Sequence, residues 1–99
     1  MIIGSISENK DLEKRISISP EIEKKYISNN FEVILESGYG SHLGISDDLF
    51  IKSGCKVYKK ENILKSSDVI LQLNLPEEIS TQFLKEGSIL IGNFNKFLS

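Results

Sequence analysis

Arg15 is the residue best suited to grip a ligand. Every other basic residue in the chain except one histidine is Lys. A guanidinium holds a carboxylate through two parallel hydrogen bonds, where an ammonium offers a point charge. Arg15 ends a polar stretch, residues 7–15, that follows the first apolar run. In a parallel sheet this stretch falls at the carboxyl edge, where open α/β sheets bind ligands. The competing role is an ion pair with Glu13 or Glu36. Gly38-Tyr39-Gly40 begins like a dinucleotide fingerprint, but position 43 is Leu43 and the next helix opens only at Ser46. Amides are therefore not gathered on a pyrophosphate, and the reading is a plain strand-to-helix turn.

The remaining reactive side chains read as structural. His42 has no carboxylate or nucleophile beside it and is expected at the surface. Cys55 begins a short apolar run and suits a small buried group. Asp47-Asp48 and Glu77-Glu78 each fall in a first helical turn, where the helix dipole stabilises negative charge. Lys56, Lys59 and Lys60 surround only Tyr58 and read as a solvated face. One Cys and one His cannot fill a metal site. No catalytic, cofactor-binding or metal residue is expected.

The elements that position these residues alternate in type. Met1-Ile2-Ile3-Gly4-Ser5-Ile6 reads as a buried strand, and Ile16-Ser17-Ile18 as a short extended piece. Ser19-Pro20-Glu21 opens a helix, with a capping hydroxyl, a proline at the first position and a carboxylate at the positive end. Ile22, Tyr26 and Ile27 give that helix its apolar face, Glu21 and Lys25 pair on the wet side, and Asn29-Asn30 close it. Residues 31–36 form the second strand. Ser46-Asp47-Asp48 opens a short helix with Leu49 and Phe50 as its contacts and Gly54 as its stop. Further strands are expected at 55–58, 69–73 and 89–91. Helical turns are expected at 61–66, and a helix runs from Pro76 to Gly87. Such alternation predicts an α/β fold with a parallel sheet covered by helices on both faces.

Composition excludes several classes. The chain has 99 residues, enough for one domain, with a net charge of −2 and a pI near 5.4. That lacks the basic footprint of a nucleic-acid binder. An apolar fraction of 39% fits a globular domain. No apolar run is long enough to span a membrane and no signal peptide appears. A single cysteine excludes an internal disulfide and suits a reducing compartment.

Four blocks resemble the N-terminal domain shared by alanine dehydrogenase and the alpha subunit of proton-translocating nicotinamide nucleotide transhydrogenase. They are Ile2-Ile3-Gly4; the run from Glu13-Lys14-Arg15 to Ser19-Pro20-Glu21, similar to E-x-R-V-A-x-(S/T)-P-E; the run from Phe31 to Gly40, similar to F-x-V-x-V-E-S-G-A-G; and the segment from Ile45-Ser46-Asp47-Asp48 to Ser53-Gly54-Cys55. The resemblance implies a Rossmann-like or flavodoxin-like parallel sheet, one partial domain over 1–99, and a parent enzyme that uses NAD and NADP. It separates two branches. Alanine dehydrogenases carry a substrate-binding lysine where this chain has Asn74, and a histidine beyond the last strand where it has Gly92-Asn93-Phe94-Asn95-Lys96. Gln72 replaces a lysine of both branches. Ser5 replaces a small apolar residue.

The transhydrogenase branch is therefore the expectation: a portion that frames the NAD(H) cleft of an enzyme moving hydride from NADH to NADP with proton translocation, inactive alone and binding no cofactor alone. Its implied partners are the rest of the alpha subunit, a membrane beta subunit and a second copy of itself. Its implied location is cytoplasmic, peripheral to the inner membrane, with no span of its own. In the dehydrogenase branch Arg15 would bind the substrate carboxylate. A non-enzymatic stand-alone interaction module is the third possibility. The chain reads as a fragment whose uncovered sheet face promotes association.

Overall fold

The computed structural model describes residues 1–8, 10–11, 13–73 and 83–92. In chain order the elements are β1 (Ile2–Ser5), α1 (Pro20–Ser28), β2 (Glu32–Glu36), a 3-10 turn (Ser41–Leu43), α2 (Asp47–Lys52), β3 (Lys56–Tyr58), α3 (Lys60–Ser66), β4 (Val69–Gln72) and β5 (Ile89–Gly92). The five strands form one sheet in the order β3-β2-β1-β4-β5, with every pairing parallel. This is the α/β arrangement expected. The helix expected from Pro76 lies mostly outside the described residues, as do Asn74, Glu77 and Glu78. Residues 16–18 form no strand.

The sheet separates two apolar layers. On one face α1 and α2 cover Ile3, Val33 and Leu35, with Ile18, Tyr39, Phe50 and Cys55 completing the layer. On the other, α3 packs Ile63 and Leu64 against Ile6, Ile34 and Ile70. Alternation along β1 makes this possible, because Ile3 and Ser5 point one way and Gly4 and Ile6 the other. Gly4 lets α3 approach closely: a Cβ there would overlap the Ser67 hydroxyl and lie 2.9 Å from Ile63 Cγ2. The amino edge is locked by Asp68, which accepts from the Ile2 amide at 2.7 Å and from Lys85 Nζ at 2.5 Å. Those bonds hold its carboxyl below the usual range.

The helix starts form as their residues dictate. Ser19 caps α1 by accepting from the Ile22 amide at 3.3 Å, and Ser46 caps α2 through the Leu49 amide at 3.4 Å. Two apolar assignments are corrected. Ile22 is exposed, and Glu23 takes its place on the buried side of α1 with Tyr26 and Ile27. Leu49 is likewise exposed, and only Phe50 of that pair enters the core. In both cases the neighbouring position on the helix faces the sheet, so the buried stripe is rotated by one residue. Among the described residues no helix is long and apolar enough to cross a membrane.

Candidate functional site

The strand order reverses direction between β1 and β4. Parallel strands with crossovers on opposite faces diverge there at their carboxyl ends and leave a crevice. Backbone pairing of β1 with β4 stops at Gly4↔Ile70. Beyond it the Gln72 side chain continues the ladder. Its Oε1 accepts from the Ile6 amide at 2.7 Å, and its Nε2 donates to the Ile6 carbonyl at 3.0 Å and to Glu8 Oε2 at 2.9 Å. Glu8 Oε2 also accepts from the Leu73 amide at 2.8 Å. The base of the crevice is thus filled by a neutral amide whose oxygen and nitrogen are both engaged.

A second network crosses the same edge. The Tyr39 hydroxyl oxygen accepts from the Ser17 amide at 3.1 Å and the Ile18 amide at 3.2 Å. With both lone pairs used, its proton goes to Ser5 Oγ, 2.8 Å away. Ser5 then donates to the Leu71 carbonyl at 2.5 Å, with Gln72 Oε1 3.1 Å off. Burial pushes the Tyr39 phenol up from its ordinary value, against the opposing effect of these bonds. The ring is held edge-on to Phe50 at 5.8 Å.

These contacts pin the polar loop after β1. Glu36 accepts from the Ser7 amide at 3.0 Å. Lys10 Nζ donates to the Gly38 carbonyl at 2.6 Å and to Ser41 Oγ at 2.8 Å. His42 Nε2 bonds the Lys14 carbonyl at 2.9 Å. His42 is half-buried rather than a free surface residue, and its part here is a tether.

Arg15 stands between the His42 and Tyr39 tethers. Its Nε donates to Glu13 Oε2 at 3.0 Å and one terminal nitrogen to Glu13 Oε1 at 2.9 Å. The ion pair weighed against ligand binding therefore exists, and its partner is Glu13. The bond and charge of Glu13, with a further contribution from the charge of Glu8, hold the guanidinium above its ordinary value. The Arg15 side chain is still 69% exposed. Its other terminal nitrogen has no partner among the described residues, so an oriented donor face remains open.

The Gly38-Tyr39-Gly40 turn does not fit a nucleotide pyrophosphate. Asp47 already accepts from the Gly38 amide at 2.9 Å. A Cβ at Gly40 would lie 3.0 Å from both Ile45 and Phe50, so that glycine serves core packing and not ligand approach. Cys55 is buried, as its sequence setting suggested, and lies beside Glu23 away from this edge. Burial foremost, then the charge of Glu23, pushes its thiol up to about 12. Among the described residues no group of His, Cys, Asp and Glu could hold a metal ion. Lys56 pairs at 3.5 Å with Glu32 on the exposed surface. Sequence reading missed Ser5, Tyr39 and Gln72 as a connected set, although Ser5 and Gln72 each depart from the pattern the chain resembles.

Residues 4–97 match the family described as "Alanine dehydrogenase/PNT, N-terminal domain". The chain belongs to this family. It is similar to N(5)-(carboxyethyl)ornithine synthase of Clostridium botulinum, 34% identical over 93% of this chain and 28% of that protein. It is also similar to alanine dehydrogenase 1 of Staphylococcus aureus, 28% identical over 93% of this chain and 24% of that protein. Among solved structures it resembles the transhydrogenase from Sinorhizobium meliloti, with a TM-score of 0.79, 30% identity and coverage of 93% of this chain and 27% of that one. An L-alanine dehydrogenase structure shares the fold with a TM-score of 0.77 at 22% identity. The chain spans about a quarter of the length of these relatives.

Proposed function

We propose that this chain, as a member of the alanine dehydrogenase/PNT N-terminal family, supplies the substrate-facing wall of a nicotinamide-nucleotide oxidoreductase acting on a small amino acid or keto acid. Arg15 binds the substrate carboxylate. One observation carries this reading: Glu13 orients the guanidinium from one side while its remaining donors stay open at the carboxyl edge of the sheet. Two parallel bonds to a carboxylate need that preset geometry. The 34% identity to an enzyme named for a carboxyethyl-substituted amino acid supports the same substrate class. Hydride transfer is supplied by a nicotinamide nucleotide when bound, and its phosphates find no cradle in the Gly38–Gly40 turn. The part of this chain is to bind and orient the acid.

A second reading keeps the scaffold and changes the reaction. It makes the chain the N-terminal part of a proton-translocating transhydrogenase alpha subunit, passing hydride from NADH to NADP beside a membrane beta subunit. Asn74 favours it in sequence, because an amide stands where the resemblance puts the substrate-binding lysine of the dehydrogenases, and an amide supplies neither a cation nor a titratable amine. The solved transhydrogenase at 30% identity supports it too. On this reading Arg15 is electrostatic and the protein is cytoplasmic, peripheral to the membrane.

The test uses the natural polypeptide that contains these residues, with reduced nucleotide consumption followed by absorbance. Consumption that requires pyruvate and an amine donor supports the first reading. Consumption that requires only an oxidised second nucleotide supports the other. Failure of both leaves a non-enzymatic interaction module. Ile89 and Ile91, 58% and 51% exposed on β5, make self-association of the chain the expected outcome in sedimentation.

A further inference from the structure

We propose that Tyr39 is the positioning residue for Arg15, with His42 as a second tether, and that the turn carrying both exists to hold the Arg15 guanidinium open to a small carboxylate. The inference rests on the reading of Arg15 given above and names the residues that make it work.

An exposed arginine on a polar loop would ordinarily sample many rotamers, and that entropy opposes binding. Here the backbone on both sides of Arg15 is fixed from one turn. His42 Nε2 holds the carbonyl of Lys14, one residue before it. The Tyr39 hydroxyl holds the amides of Ser17 and Ile18, two and three residues after it. Glu13 then fixes the side chain itself.

Tyr39 is suited to this by its own surroundings. The ring is 1% exposed and packs edge-on to Phe50. The hydroxyl proton is committed to Ser5, and Ser5 commits its own to Leu71. The chain of donors therefore runs one way, from the loop amides through Tyr39 and Ser5 into β4. It leaves the phenol oxygen as a fixed double acceptor under the loop. A phenylalanine would fill the same space and hold nothing.

The experiment titrates the natural polypeptide that contains these residues with pyruvate and reads the Arg15 Nε–H signal by NMR, with amide hydrogen exchange on the same samples. The native chain is expected to respond saturably, with slow exchange at Ser17 and Ile18. Tyr39→Phe is expected to weaken pyruvate binding about tenfold and to speed exchange at Ser17 and Ile18, while the β1 and β2 amides stay protected. A purely structural tyrosine would lower stability without moving the pyruvate affinity of the folded state. Unchanged affinity in a folded Tyr39→Phe protein overturns the inference and leaves Arg15 as the carboxylate ligand. No response of Arg15 in the native chain overturns the Arg15 reading and this inference with it. Should Tyr39→Phe not fold, Ser5→Ala decides. It strips the acceptor of the Tyr39 proton, so that proton competes at the oxygen with the loop amides. Affinity is then expected to fall about threefold, and unchanged affinity overturns the proposal.

Discussion

Gln72 at the carboxyl edge and Glu23 beneath α1 are both buried polar side chains, and they are treated in opposite ways. Gln72 is 3% exposed, and its amide bonds both backbone groups of Ile6 as well as Ser5 and Glu8. Glu23 is fully buried against the amide and thiol of Cys55, and neither carboxyl oxygen makes a well-formed hydrogen bond there. Burial raises its carboxyl above the ordinary 4.5. A satisfied buried polar group fixes geometry, whereas an unsatisfied one costs stability. The organised polar groups lie where the family reading puts the ligand, and the disorganised one lies where only packing is required.

The largest effect comes from breaking the organised side. Gln72→Leu leaves the Ile6 amide and carbonyl without their partner, which should cost about 3 kcal/mol, measured by urea unfolding. Tyr39→Phe orphans the Ser17 and Ile18 amides and should cost about 2 kcal/mol in the same assay. The disorganised side should respond with the opposite sign. Glu23→Leu removes an unpaired buried carboxyl and should stabilise the protein by about 1 kcal/mol at neutral pH.

That last change has a pH signature. The folded chain holds the Glu23 proton more tightly than the unfolded chain, so its contribution is fully present below the unfolded value of about 4.5. It is lost as pH rises from there through the raised folded value. Glu23→Leu should therefore flatten the decline of stability with rising pH, and an unchanged slope would show that Glu23 is not the group responsible. Cys55 gives a smaller readout of the same region. With its thiol pushed up to about 12, it stays protonated at neutral pH, so alkylation should proceed only when urea unfolds the chain. Rapid modification of the folded protein would contradict the packing around Glu23. The smallest effect on stability belongs to Arg15→Gln. The guanidinium is exposed, so the melting temperature should not change measurably, although pyruvate binding should vanish.

Much of this architecture was legible in the residues. The order of strands and helices followed from short apolar runs alternating with capped amphipathic segments, because those signals are local. Ser19-Pro20-Glu21 and Ser46-Asp47-Asp48 are helix starts whatever surrounds them. The face of α1 was misread because Glu23 looks polar at a position that points inward. Only the tertiary contact with Cys55 and the sheet shows that a carboxyl fills an apolar site. The carboxyl-edge network was hidden for a related reason. Ser5, Tyr39 and Gln72 lie 33 or more residues apart in the chain, and nothing local in any of them announces the others. Arg15 was legible as a type of residue, and its partner Glu13 was among those its sequence neighbourhood offered. The tethers on either side of it were not legible, because they come from a turn that reads as a failed dinucleotide motif.

The most direct test of the account is a paired titration of the natural polypeptide that contains these residues, with pyruvate in one arm and NADH in the other, read at the Arg15 Nε–H signal. The account predicts a saturable response to pyruvate and none to NADH. Stoichiometric NADH binding with no response of Arg15 to the acid would contradict it.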